Sequence, residues 1–176
     1  MKRRDFLNIV GSTAGSVLLL RSGIVSAATP EAAVDRVKFT RLDKPLETWR
    51  KLLPPAAFDV MFEEDTERPF SSPLNDEKRP GKFLCAACFL PLFDAKAKYD
   101  SGTGWPSFYQ PITGRVGTRQ DRQLIFTRTE YHCARCGGHQ GHVFDDGPKP
   151  TGQRWCNNGV ALMFVPAGQA LPPLRT

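Results

Sequence analysis

A chain of 176 residues with 40% hydrophobic and 24% charged residues is long enough for one sizeable core and ordinary in composition for a soluble protein. Fifteen glycines and fifteen prolines are more than a helical bundle tolerates, and they point to a turn-rich, mostly β chain. The net charge of +6 is poor evidence for a nucleic-acid partner, because Lys2, Arg3, Arg4 and Arg21 against Asp5 supply half of it and leave about +3 beyond residue 28.

Those first residues read as a leader. Arg3 and Arg4 precede Phe6-Leu7, a mildly apolar run reaches Leu20, and small residues follow at Val25–Ala28. This is a secretory signal of twin-arginine type over residues 1–28. It predicts export to the periplasm after cleavage behind Ala27 or Ala28, or a membrane anchor if the leader stays on. Residues 29–45 are polar without a clear period and read as a linker.

Leu46 to Glu64 has helical spacing broken by Pro54-Pro55, which predicts two short helices over 46–53 and 55–63. Trp49, Leu52, Leu53, Phe58 and Met61 are expected to pack on a sheet. Glu63, Glu64, Asp65 and Glu67 read as a solvated face without chemistry. From Thr66 the pattern is loops and short strands. Strands are predicted around Phe83-Leu84 and Leu92-Phe93, over Leu124–Tyr131 and over Val160–Val165. Ser101 to Phe108 (SGTGWPSF) is a glycine-rich loop displaying Trp105. Residues 167–176 form a Pro-rich tail, frayed from Leu171. The folded domain is thus bounded at 46–166.

Chemistry concentrates in the cysteines and histidines. Cys85-x2-Cys88 and Cys133-x2-Cys136 make two matched pairs, and four thiolates fill a closed tetrahedral zinc site. The 44 residues between the pairs exceed a self-contained finger, so the site is a structural clamp between segments at two ends of a larger sheet. Iron, two disulfides or a redox dithiol are the other readings of the pairs. Cys156 is left over, with Arg154 before it and Asn157, Asn158 and Gly159 after it. An inert buried cysteine is the plainer reading. A candidate nucleophile fits the polar neighbourhood, whose charge and donors are expected to lower the thiol pKa. With the cage filled by cysteines, His139 and His142 become candidate acid/base groups, and His132 is given no role.

SGTGWPSF, CARCGGHQGHVFDDGPKPTG and RWCNNGVALMF, in this order with both cysteine pairs, resemble the methionine sulfoxide reductase B family. TERPF at Thr66–Phe70 and CFLPLF from Cys88 match as well, so the resemblance spans Leu46 to Val165. It implies a mainly β fold of two antiparallel sheets with a structural Zn2+ and short N-terminal helices. It also implies reduction of the R epimer of methionine sulfoxide in oxidised proteins or peptides. Cys156 then matches the nucleophile, His139, His142 and Asn158 the catalytic helpers, and Trp105 the wall around the substrate methyl group. Where many members carry a second cysteine in the SGTGWPSF loop, this chain has Thr103. No resolving thiol remains, which predicts regeneration of a Cys156 sulfenic acid by a thioredoxin-like or other external thiol donor. A monomer without nucleic-acid partners is expected. The competing reading is an inactive zinc-stabilised module that binds oxidised exported proteins.

Overall fold

The computed structural model describes residues 38–121 and 127–176. The leader expected over 1–28 and the start of the linker lie outside the described residues. Among the described residues, no helix is long and apolar enough to cross a membrane.

The proline pair sets the helices as expected. Helix α1 is Leu46–Leu52, and α2, Pro55–Phe62, starts with proline at its first position, where no N–H is needed. Trp49, Leu53, Phe58 and Met61 are buried, and Trp49 stacks on Phe62 with ring centroids 5.3 Å apart. Leu52 departs from the expectation and points into solvent. Trp49 and Leu53, four residues apart, share the buried stripe of this two-turn helix, and Leu52 falls beyond its edge. The lead-in also packs on the domain: Leu42 N–H donates to Arg135 O at 2.7 Å, and Arg115 lies over the Phe39 ring.

Among the described residues nine strands follow: β1 Gly81–Cys85, β2 Pro91–Asp94, β3 Lys98–Tyr99, β4 Ser107–Phe108, β5 Val116–Asp121, β6 Arg128–Cys133, β7 His139–Phe144, β8 Arg154–Asn157 and β9 Leu162–Pro166. They form two antiparallel sheets, ordered β2-β1-β9 and β3-β4-β8-β7-β6-β5. The predicted strand over Val160–Val165 starts later, because Gly159–Ala161 forms a 3-10 turn. The one predicted over Leu124–Tyr131 lies partly outside the described residues, and its described part opens β6.

The period of two in β8 divides the molecule. Trp155 and Asn157 face inward, while Arg154 and Cys156 face the other way. On the inward face Phe93 stacks on Phe108 at 4.1 Å, Phe83 meets Phe108 edge-on at 5.0 Å, and Tyr131 meets Trp155 edge-on at 5.0 Å. These rings come from β1, β2, β4, β6 and β8, so one aromatic core joins the two sheets. The opposite face of the larger sheet is free to carry chemistry.

The tail is not frayed. Leu174 packs against the core, Arg175 N–H donates to Cys88 O at 3.2 Å, and the Arg175 guanidinium lies over Phe89.

Candidate active site and metal cage

The two cysteine pairs fold into matching knuckles. Cys85 ends β1 and Cys133 ends β6, and each begins a tight turn. In one, Phe89 N–H donates to Cys85 O and Cys85 N–H to Leu90 O; in the other, Gly137 N–H donates to Cys133 O and Cys133 N–H to Gly138 O. Phe89 and Gly137 occupy the same step of the turn, both with positive φ. One knuckle belongs to each sheet, which corrects the expectation of a clamp between two ends of one sheet: the cage bolts the two sheets together.

The four sulfurs fit a metal. Cys85 Sγ lies 3.6 Å from Cys136 Sγ, Cys88 Sγ lies 3.5 Å from Cys133 Sγ, and all four fall within 4.8 Å of one another. A tetrahedron with metal–sulfur bonds of about 2.3 Å has edges of about 3.8 Å. A disulfide needs about 2.05 Å, so the pairs are thiols. Burial pushes the Cys85 and Cys133 thiols well above their ordinary value. Four thiolates here require a cation to hold them ionised.

The candidate chemistry sits on the outer face of the larger sheet, along one rung. Ser107 of β4 is opposite Cys156 of β8, Cys156 is opposite His142 of β7, His142 is opposite Glu130 of β6, and Glu130 is opposite Arg119 of β5. Residues directly opposite in antiparallel strands share a face, with Cβ atoms about 4.5–5.5 Å apart. Cys156 and His142 are therefore neighbours by register. Gly141 makes that approach possible, since a Cβ there would overlap the Cys156 carbonyl.

His139 reaches the same face through a bulge. Three residues from His142, it would point inward in a regular strand. The ladder skips a residue between Tyr131↔Gly141 and His132↔His139, which leaves Gln140 unpaired and turns His139 outward. The two rings meet edge-on at 5.4 Å. His139 Nδ1–H then donates to Glu130 Oε1 at 2.8 Å, and His132 Nδ1–H donates to Glu130 Oε2 at 3.1 Å. His142 Nε2–H donates to Asp121 Oδ2 at 2.9 Å, a carboxylate shared with Arg128. These bonds fix the tautomers, leaving Nε2 of His139 and Nδ1 of His142 as acceptors.

Burial lowers the His142 pKa below its ordinary value against the pull of Asp121, so the ring is neutral at pH 7. Burial also pushes the Cys156 thiol above its ordinary value, and the attraction of Arg154 with hydrogen bonding to Thr103, Arg154 and Ser107 does not reverse it. The expected depressed pKa is thus not found. Arg154 is held by Asp146 through two 2.8 Å bonds, which share its charge away from the sulfur.

Cys156, His142, Trp105 and Asn158 line one cavity of 260 Å³, together with Thr103 and Phe144. His139 lines an adjoining hollow of 160 Å³ that shares Thr66, Arg128 and His142 with it. Asn158 takes part chiefly through the backbone around it. Its Oδ1 accepts from Glu67 N–H at 3.1 Å, and its Nδ2 donates to Gln140 O at 3.1 Å.

Glu67, read from sequence as a solvated acid, is a structural hub. Its carboxylate accepts from the N–H groups of Gly159 and Val160 at 2.6 and 2.9 Å, and its carbonyl accepts from Trp105 Nε1 at 3.1 Å. It ties the Trp105 loop to the turn that follows Asn158. Glu130 is the other group that the sequence reading missed. Burial works to raise its carboxyl, but hydrogen bonds from His132 and His139 hold it at about 2. In the unfolded chain it titrates at 4.5. Its ionisation therefore favours the fold fully above pH 4.5, and that contribution is lost as the pH falls toward 2. Glu130→Gln is expected to lower the melting temperature at pH 7 and to converge with wild type near pH 2, as followed by thermal melts across that range.

Fold and site together define a class: a β protein clamped by a four-thiolate metal cage, with one further thiol in a separate cavity beside paired histidines and an aromatic wall. The SelR domain family model matches residues 53–166. A "Peptide methionine sulfoxide reductase MsrB" of Pseudomonas entomophila is 51% identical over 127 residues, covering 72% of this chain and 97% of the relative. A protein of the same name from Methanosarcina mazei is 47% identical over 126 residues, covering 71% of this chain and 90% of that one. A crystal structure of the Mis18 'Yippee-like' domain aligns at 18% identity with a TM-score of 0.41, over 52% of this chain and all of that one, too loosely to argue from. The chain belongs to the methionine sulfoxide reductase B family.

Proposed function

We propose that this protein reduces the R epimer of methionine sulfoxide in oxidised proteins to methionine, with Cys156 as nucleophile and an external thiol as reductant. The observation that carries the reading is the placement of Cys156. It is the one cysteine outside the cage, and it shares a cavity with Trp105 and a rung with His142. The names of the relatives support the same reaction.

The chemistry follows from the groups in place. Cys156 rests as a thiol, and neutral His142 beside it accepts the proton as the sulfur attacks the sulfoxide sulfur. A sulfoxide oxygen leaves sulfur only when protonated, so the proton passes to that oxygen, with the His139–His142 pair as its carrier. The substrate S–O bond breaks as the oxygen leaves as water; water then attacks the Cys156 sulfur, the S–S bond to the substrate breaks, methionine and a proton are released, and Cys156 is left as a sulfenic acid. Two external thiols then reduce the sulfenic acid, giving water, a disulfide and the Cys156 thiol. Trp105 offers the apolar wall for the methyl group, while the oxygen meets the histidine pair once it carries the thiol proton, and that division selects one epimer. Asn158 is a positioning residue, holding the turn after Cys156 against Gln140 and Glu67. Cys85, Cys88, Cys133 and Cys136 would hold the zinc, whose role is to join the sheets. Four thiolates leave it no open position for substrate. The leader pattern over 1–28 supports a periplasmic location for the reaction.

The test is reduction of resolved R and S epimers of a chromophore-tagged methionine sulfoxide with dithiothreitol as donor. Turnover of R alone is the expected result. Turnover of S alone, or of neither epimer by folded protein, overturns the proposal.

A further inference from the structure

The cavity beside Cys156, at 260 Å³, is at the small end for a ligand pocket. It has room for one side chain and not for the polypeptide that bears it. The chain on either side of an oxidised methionine must therefore lie on the rim. One rim is the loop from Thr66 to Ser72. Thr66 lines the cavity, and the carbonyl of Glu67 holds the Trp105 indole.

Phe70 stands on this loop with 73% of its surface in solvent, against 54% for Leu46 and 41% for Leu52, the other exposed large hydrophobics among the described residues. Its backbone has φ 62°, a region that bulky residues rarely occupy. The loop is locked in this state from both sides. Phe70 N–H donates to Gly104 O at 2.7 Å, one residue before Trp105, and Ser71 Oγ donates to Arg68 O at 2.7 Å. Gly104 has φ 93°, and a Cβ there would press on the Phe70 ring and backbone and on Pro69. The two loops are fitted to each other, and the result is an aromatic ring held in water beside the substrate wall. Exposure of the ring and a left-handed backbone both oppose stability, and such outliers collect where a ligand is gripped.

We propose that Phe70 is a docking side chain for an apolar residue of the polypeptide flanking methionine sulfoxide. This rests on the reductase reading above. An extended chain advances about 3.3–3.6 Å per residue, so side chains one or two positions from the sulfoxide lie over the rim of the cavity. The partner surface is an extended, locally unfolded segment, which offers apolar side chains that a folded substrate hides.

The experiment compares wild type, Phe70→Ala and Phe70→Gly on two substrates: a peptide with methionine-R-sulfoxide between leucines, and N-acetyl-methionine-R-sulfoxide. The peptide's kcat/KM is expected to fall about five- to tenfold through KM in both variants, with less than twofold change on the small substrate. Phe70→Gly serves as the fold control, because glycine adopts the left-handed backbone freely and should melt at or above the wild-type temperature. An equal fall on both substrates, or no fall on the peptide, overturns the docking role. Wild-type protein that reduces neither substrate overturns the reductase reading, and the docking role with it.

Discussion

Cys156→Ser is expected to abolish methionine sulfoxide reduction, by roughly 10³-fold or more, while leaving the protein folded. A hydroxyl at this position keeps the size of the thiol but is a far weaker nucleophile, and no second thiol can replace it. The other four cysteines are gathered in the cage, within 4.8 Å of one another. The measurement is turnover of the R epimer with dithiothreitol, alongside a thermal melt. A variant that keeps a tenth of wild-type activity would sink Cys156 as the nucleophile.

Thr103 bears on how the enzyme is regenerated. Thr103, which stands where a resolving cysteine is usual in the family, lines the Cys156 cavity, and its hydroxyl lies 2.8 Å from that of Ser101. A cysteine there would be well placed to trap the sulfenic acid, but threonine cannot. In the absence of reductant, wild type should form one methionine per chain and lose one thiol, with the adduct of a sulfenic-acid trap mapped to Cys156. Loss of two thiols per methionine would mean that a cage cysteine resolves the intermediate. Because the resting thiol lies above its ordinary value through burial, it should also be slow to alkylate at neutral pH. Slow alkylation is thus no argument against catalysis at this site. In the proposed mechanism, attack depends on proton transfer to His142 once substrate has entered.

The parts of this site that were legible in the sequence are those fixed by residue type and short spacing. Two C-x2-C pairs specify a cage, a fifth cysteine is conspicuous by arithmetic, and Trp105 stands out among glycines. The parts that were hidden depend on register. Nothing in His139-Gln140-Gly141-His142 announces that Gln140 is skipped by the ladder, yet that bulge puts both rings on one face. Glu130 becomes a clamp for His132 and His139 only because β6 lies against β7, and Asp121 holds His142 from β5, beyond it. Glu67 sits in an acidic run that reads as surface, and its role follows from a loop crossing to Gly159, 92 residues away. Leu52 shows the opposite limit, since a two-turn helix is too short for periodicity to mark the edge of its buried stripe. The upward shift of the Cys156 thiol is hidden from sequence for a related reason. Sequence shows Arg154 nearby, but not that Asp146 engages it or that the strand is packed over.

Cys133→Ser is expected to cost the fold itself. Cys133 is fully buried at the end of β6, and its knuckle meets that of Cys85 and Cys88 from the other sheet. Structural zinc contributes about 10–16 kcal/mol in small zinc-binding peptides, against about 5–15 kcal/mol for the whole stability of a typical domain. The aromatic core shared by the two sheets offsets part of that loss, but a serine also leaves a buried hydroxyl and three crowded thiols. The predicted outcome is aggregation on expression, or a melting transition lower by more than about 15 °C, a shift that a loss of several kcal/mol produces in a domain of this size. Metal analysis of wild type should return one zinc per chain, and prolonged chelation should reproduce the variant's loss of cooperative unfolding. The order of events separates this role from catalysis. Chelated wild type should lose activity only as its tertiary structure melts, whereas Cys156→Ser should lose activity with its melt unchanged. Loss of turnover in a chelated protein that remains fully folded would place the metal in the chemistry and contradict the assignment of the cage as a clamp.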